Sequence, residues 1–213
     1  MAENDFQPPH AVQFRGSPLA RWLLACLGWR VHFQGFPALQ GVAIVYPHTS
    51  NWDFLYMILA KWALGVPARF WAKDSLFRVP AFGPWLRYLG GVPIDRRSSR
   101  GVVGSMVDHI VRCKDEERYF WLGLSPEGTR KLTAGWRSGF YQVAHQADVP
   151  LALIRLDYGQ KEVRVDSFIR LTGDAPADYA RLVRHFEGVR GCRATQAAPI
   201  QPLPQPHPSR ESS

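Results

Sequence analysis

Gly41-Val42-Ala43-Ile44-Val45-Tyr46-Pro47-His48-Thr49-Ser50-Asn51-Trp52-Asp53 changes character half-way along. Residues 41–46 are a short apolar run, partly β-branched, which reads as a buried strand ending at Pro47. From Trp52 to Leu64 the spacing turns helical, with Leu55, Leu59 and Trp62 on one face. Gly65 stops that helix and Pro67 seals the stop. Between the two periods lie a histidine and, five residues on, an aspartate.

The same alternation continues along the chain. Ala68–Lys73, Val92–Asp95, Tyr119–Leu124 and Val149–Leu156 read as strands, and Lys161–Asp166 alternates in the manner of an edge strand. Helices are expected over Ser99–Cys113, Ser138–Ala147 and Pro176–Glu187, with short proline-broken helical pieces across Leu76–Gly91. Strands alternating with helices argue an α/β layered domain. Ser17-Pro18 is a helix start, with Ser at the N-cap and Pro at N1. The helix it opens has apolar residues at Leu19, Trp22, Leu23, Cys26 and Leu27, flanked by Arg15, Arg21 and Arg30. Two readings of that helix stand: it packs on the core, or it lies at an interface with basic edges. Residues 1–16 read as disordered, 17–193 as the domain, and 194–213, rich in Gln, Pro and Ser, as a disordered tail.

Composition bounds the partners. The chain has 213 residues, 46% of them apolar, and a formal net charge of +8. That is one domain with a real core and a preference for anionic partners: nucleic acid, an anionic membrane surface or phosphorylated ligands. Aromatics are plentiful, with eight tryptophans, an excess that calls for an explanation. Cys26, Cys113 and Cys192 are far apart and odd in number, so they suggest no disulfide framework, no zinc ribbon and a reducing compartment. Leu19–Trp29 is about half the roughly 20 residues a membrane-crossing helix needs and carries Arg21. A soluble protein, or one lying on a membrane surface, is expected.

His48 and Asp53 are the first candidates for chemistry. On one ideal helix, side chains five residues apart sit roughly 140° apart and do not meet. They meet if His48 lies in the strand-to-helix turn and Asp53 in the first helical turn. Asp53 would then accept one imidazole N–H and leave the other nitrogen as a general base for a hydroxyl. The competing reading is purely local, since Ser50-x-x-Asp53 has capping-box spacing. No G-x-S-x-G elbow occurs: Gly123-Leu124-Ser125-Pro126-Glu127-Gly128 puts Pro and Glu where the elbow needs a small residue and a glycine. Nothing supports a metal site. Arg96 and Arg97 follow one strand end and Glu127-Gly128-Thr129-Arg130 another, where α/β domains gather their sites and where arginine forks suit phosphate. A solvated basic loop and a surface ion pair are the alternatives for these groups.

His48-Thr49-Ser50-Asn51-Trp52-Asp53 matches H-x-x-x-x-D, the first block of the glycerolipid acyltransferases. Gly91-Val92-Pro93-Ile94-Asp95-Arg96 is similar to the second block, Ser125-Pro126-Glu127-Gly128-Thr129-Arg130 to the third, and Val149-Pro150-Leu151-Ala152-Leu153 to the fourth. The four stand in the family's order over residues 41–156. Ser125 departs from the pattern, which often has an aromatic residue there, and Pro93 interrupts the second block. The resemblance implies a single layered domain with a mixed β-sheet flanked by helices. It implies an O-acyltransferase moving a fatty acyl group from acyl-CoA or acyl carrier protein to a lysophospholipid-type acceptor, 1-acylglycerol 3-phosphate by default, with no cofactor. His48 would be the base, oriented by Asp53, in a direct attack without an acyl-enzyme. Arg96, Arg97, Glu127, Gly128, Thr129 and Arg130 would bind the acceptor, and Pro150 would belong to the acyl-donor segment. The expected location is cytoplasmic, peripheral on the inner face of a membrane. Other lipid alcohols as acceptors, a non-catalytic lipid-binding protein and a lipid hydrolase are the alternatives; nucleic-acid binding rests on charge alone.

Overall fold

The computed structural model describes residues 4–94 and 99–204. Their strands are β1 (Arg30–Phe33), β2 (Gln40–Tyr46), β3 (Arg69–Lys73), β4 (Gly91–Ile94), β5 (Phe120–Leu124), β6 (Leu151–Asp157), β7 (Glu162–Val165) and β8 (Phe168–Ile169). They form one mixed sheet in the order β1-β7-β6-β2-β5-β3-β4, with β8 pairing β6. The five strands β6, β2, β5, β3 and β4 run parallel, whereas β7 and β8 lie antiparallel to β6. The carboxyl ends of β2, β5 and β6 therefore open on one edge, and the loops that follow them share it.

Both faces of the sheet are covered, which is why β2 reads as a continuous apolar run rather than an alternating one. Val42 and Ile44 of β2, with Leu122, Leu151 and Leu153, face a core completed by α5 (Ser99–Asp115), α6 (Gly139–Gln146) and α7 (Ala175–Phe186). Ala43, Trp121, Ala152 and Ile154 face the other way, towards α1 (Pro18–Cys26) and α2 (Trp52–Leu64). Helix α1 starts as its sequence dictates: Ser17 accepts the Ala20 N–H and Pro18 occupies N1. Helix α2 ends at Gly65, whose φ of 73° is the left-handed conformation of a C-cap glycine. The proline-broken stretch folds as two short helices, α3 (Asp74–Phe77) and α4 (Phe82–Tyr88).

Three expectations need correction. Lys161–Asp166 is no edge strand: β7 lies between β6 and β1, and β1 forms the edge. β1 is four residues long with Arg30 and His32 in alternation, too short for its period to stand out. Residues 4–16 are not disordered where they are described. Asp5 donates its N–H to Phe168 and pairs with Arg181, while Val12 bridges Phe36 and His10 is buried against Phe168. Residues 194–204 are not a loose tail either. Ala198 is fully buried, and Gln201 and Leu203 bond the backbone of Trp136. Two N–H groups of this segment tie it to the domain: Ala198 donates to Glu127 and Leu203 to Trp136 O. Arg96 and Arg97 lie outside the described residues.

Candidate active site

His48 stands two residues past the end of β2, and Asp53 is the second residue of α2. The turn folds back as required: His48 Nδ1 lies 3.2 Å from Asp53 Oδ2. A carboxylate only accepts, so Nδ1 carries the proton and Nε2 keeps its lone pair. Asp53 Oδ2 also accepts the N–H groups of Thr49 at 2.7 Å and Ser50 at 2.8 Å. The Ser50 contact is one half of a capping box. The other half is missing, because Ser50 Oγ accepts from Trp52 instead. Capping and dyad are therefore one arrangement: the same carboxylate closes the helix N-terminus and orients the imidazole.

A fourth donor reaches Asp53 from the turn after β6, where the Tyr158 hydroxyl donates to Oδ1 at 2.6 Å. Burial pushes the Asp53 carboxyl up, but the hydrogen bonds from His48, Tyr158 and the Ser50 N–H outweigh it and hold the group below its ordinary value. The dyad side chains differ in access, with His48 23% and Asp53 1% exposed. The imidazole meets solvent while the carboxylate does not.

The P-E-G-T-R loop after β5 meets the same turn. Glu127 is 1% exposed. Its Oε2 accepts the His48 N–H at 2.6 Å and its Oε1 the Ala198 N–H at 3.0 Å. The carboxylate thus clamps the His48 turn to the C-terminal segment and does not face open solvent, unlike the acceptor contact that the resemblance implies. Further ties run beside it. Arg193 donates its N–H to Thr49 Oγ1, Tyr46 its hydroxyl to Ala198 O, and the Gln196 amide to the carbonyls of Arg130 and Thr49. Gly128 has φ 65°, and a Cβ there would lie 2.6 Å from Arg137 Nε. Thr129 Oγ1 accepts the Lys131 N–H, while Arg130 is exposed and makes no ion pair among the described residues. Pro150 is elsewhere. It precedes Leu151, which pairs with Val42, so it sits opposite Gly41, roughly 16 Å along β2 from Tyr46 at about 3.3 Å per residue. It is buried at the far end of the sheet from the dyad.

Beneath the dyad a cavity of about 200 Å³ runs between α2 and the sheet. His48, Asp53 and Ser125 line it together with Ala43, Val45, Met57, Gly123 and Ile154. Two small residues paired across β2 and β5, Ala43 and Gly123, leave the space that larger side chains would fill.

The sequence model of the acyltransferase family matches residues 29–155, which carry the dyad, the cavity floor and the Glu127 loop. The chain belongs to the acyltransferase family. No curated protein matches it. Among solved structures, the acyltransferase is similar to the 1-acyl-sn-glycerophosphate (LPA) acyltransferase PlsC from Thermotoga maritima, at 18% identity over 76% of this chain and 70% of that chain, with a TM-score of 0.48. Two features of the acyltransferase's site depend on residues beyond the matched segment and were not found in the sequence: the Tyr158 hydroxyl on Asp53 and the Ala198 N–H on Glu127. Asp157-Tyr158-Gly159 carries a turn signal, but nothing in a linear sequence ties a turn tyrosine to an aspartate 105 positions away.

Burial pushes Glu127 up to about 7, against the opposing pull of the two N–H bonds. The folded protein then binds this proton more tightly than the unfolded chain. Its contribution to stability is fully present below the ordinary value of 4.5 and is lost as pH rises through about 7. The melting temperature of the unmodified protein should therefore fall relative to Glu127→Gln between pH 5 and pH 8, by several degrees for a change on the order of 2–3 kcal/mol. A pH-independent difference would show that Glu127 stays ionised throughout.

Proposed function

We propose that this acyltransferase moves a fatty acyl group from acyl-CoA or acyl carrier protein to a hydroxyl of a lysophospholipid-type acceptor, with 1-acylglycerol 3-phosphate as the default. The observation that carries the reading is the His48–Asp53 contact at an apolar cavity. The acceptor hydroxyl approaches His48 Nε2. As its oxygen attacks the thioester carbonyl carbon, its proton passes to the imidazole, and Asp53 stabilises the imidazolium. The C–S bond then breaks, and the sulfur leaves with the proton that His48 returns. Direct attack is preferred because a serine nucleophile needs an adjacent base. Ser125 Oγ, the nearest counterpart of an elbow serine, makes no hydrogen bond among the described residues.

In this reading the acyl chain occupies the cavity over Ala43 and Gly123. Arg130, with Arg96 and Arg97, takes the acceptor's phosphate, because guanidinium forks match phosphate oxygens. Gly128 and Thr129 shape that loop. Glu127 is reassigned from substrate contact to holding the His48 turn, and Pro150 from the donor site to the sheet's far end. An anionic membrane surface supplies the acceptor. Support comes from α1 and α2, which bury Ala20, Leu24 and Leu59 against each other's side of the core yet leave Leu19, Trp22, Leu55 and Trp62 exposed beside Arg15 and Arg21. No helix among the described residues is long and apolar enough to cross a membrane. The mode proposed is peripheral, on the inner face.

Three outcomes are expected. His48→Ala should lower acceptor-dependent thiol release from acyl-CoA on the order of 10²-fold or more, as for a lost general base; release at the normal rate would remove the base from the mechanism. Ala43→Leu should depress turnover of long-chain acyl-CoA at least about tenfold more than that of a short-chain donor, since the cavity would be partly filled. An equal loss on both donors would place the acyl chain elsewhere. Anionic liposomes should sediment the protein at low salt and release much of it at high salt. Equal partitioning to neutral vesicles would contradict the charge component. Binding to vesicles without any thioester turnover by the unmodified protein would favour the lipid-binding alternative.

A further inference from the structure

Tyr158 lies three residues past the segment that the family model covers, yet it reaches the centre of the site. Its place is set with care by the chain around it. Strand β6 pairs with β2 in a register that sets Arg155 beside Tyr46, so the turn after β6 emerges next to the turn carrying His48. Asp157 Oδ1 accepts the N–H groups of Gly159 at 2.7 Å and Gln160 at 3.2 Å, which fixes the turn. The Tyr158 N–H donates to Arg190 O at 2.8 Å. The ring stands edge-on to Trp29 at 4.9 Å and to Tyr56 at 5.8 Å, and those two stack on each other at 4.2 Å. A ring fixed on two sides leaves the hydroxyl one direction, towards Asp53 Oδ1.

We propose that Tyr158 is a positioning residue of the acyltransferase: its hydroxyl holds the Asp53 carboxylate in the orientation that turns Oδ2 to His48, and shares the carboxylate's charge so that the imidazole can both take and return a proton. The inference rests on the reading of His48 as base. Without the phenol, Oδ1 is a buried acceptor with no side-chain donor, and the carboxylate is held from the Oδ2 side alone, by the Thr49 and Ser50 N–H groups and the imidazole. More of its charge then acts on His48, which makes the imidazolium harder to deprotonate. Burial and the neighbouring Asp53 push the Tyr158 hydroxyl up, so it remains a donor across the working pH range. The other titratable groups nearby are Tyr56 and Cys192 around Tyr158, and Glu127 facing His48 from the loop after β5.

The test compares the unmodified protein, Tyr158→Phe, His48→Ala and the double variant, using a long-chain acyl-CoA and 1-acylglycerol 3-phosphate. Phe keeps the ring contacts with Trp29 and Tyr56, and a melting curve verifies the fold. The expected result for Tyr158→Phe is a loss of at least fivefold in kcat with KM for both substrates within twofold. The acid limb of its kcat profile should also move to higher pH by about half a unit. Adding Tyr158→Phe to His48→Ala should cause no further loss. A kcat within twofold of the unmodified protein, or a loss in kcat with an unmoved acid limb, overturns the proposal. If instead His48→Ala is as active as the unmodified protein, it is the base assignment that fails. If His48→Ala is inactive and Tyr158→Phe is normal, the failure belongs to Tyr158 alone.

Discussion

A carboxylate buried at the start of a helix, 1% exposed, is costly unless its lone pairs are filled and its charge is answered. Asp53 meets that demand with four donors: two backbone N–H groups, an imidazole and a phenol. It also sits where the helix N-terminus favours negative charge. The rest of the site depends on this group. It fixes the turn between β2 and α2, selects the tautomer of His48, and requires β6 to end where Tyr158 can reach it. The parallel pairing of β6, β2 and β5 brings the three loops to one edge, as open α/β sheets generally do.

Around that centre the molecule separates two environments. Small residues on β2 and β5 open an apolar cavity under α2, and Glu127 closes the opposite side of the turn by tying it to Ala198. The tryptophans divide in the same way. Trp121 and Trp136 are fully buried and fill the two faces of the sheet, whereas Trp22, Trp52, Trp62 and Trp85 are exposed on α1, α2 and α4. Trp29 is also buried and Trp71 packs against the core, so half of the eight tryptophans are exposed and the rest belong to the interior.

Much of this was legible before any coordinates. The change of period at Pro47 marks the strand and the helix, and both fall within a residue of the expected limits. The geometric requirement that His48 fold back over the first helical turn is met. What stayed hidden has physical reasons. β1 and β8 are too short to carry a period. Glu127 resembles a solvent-facing ligand in sequence because burial is decided by Ala198, 71 positions later. Pro150 follows a recognisable pattern, but its distance from the dyad depends on strand register. The segment over 194–204 has the composition of a disordered tail; only the pairing of the Ala198 N–H with Glu127 and of the Leu203 N–H with Trp136 O shows otherwise.

The central claim is that the dyad activates the acceptor's own hydroxyl and that no side chain carries the acyl group. Intact-protein mass spectrometry after mixing with long-chain acyl-CoA in the absence of acceptor, quenched in acid over milliseconds to minutes, addresses it directly. The account predicts unmodified protein at every time and no stoichiometric burst of free thiol. An acyl adduct that forms at stoichiometric level and disappears when 1-acylglycerol 3-phosphate is added would contradict it.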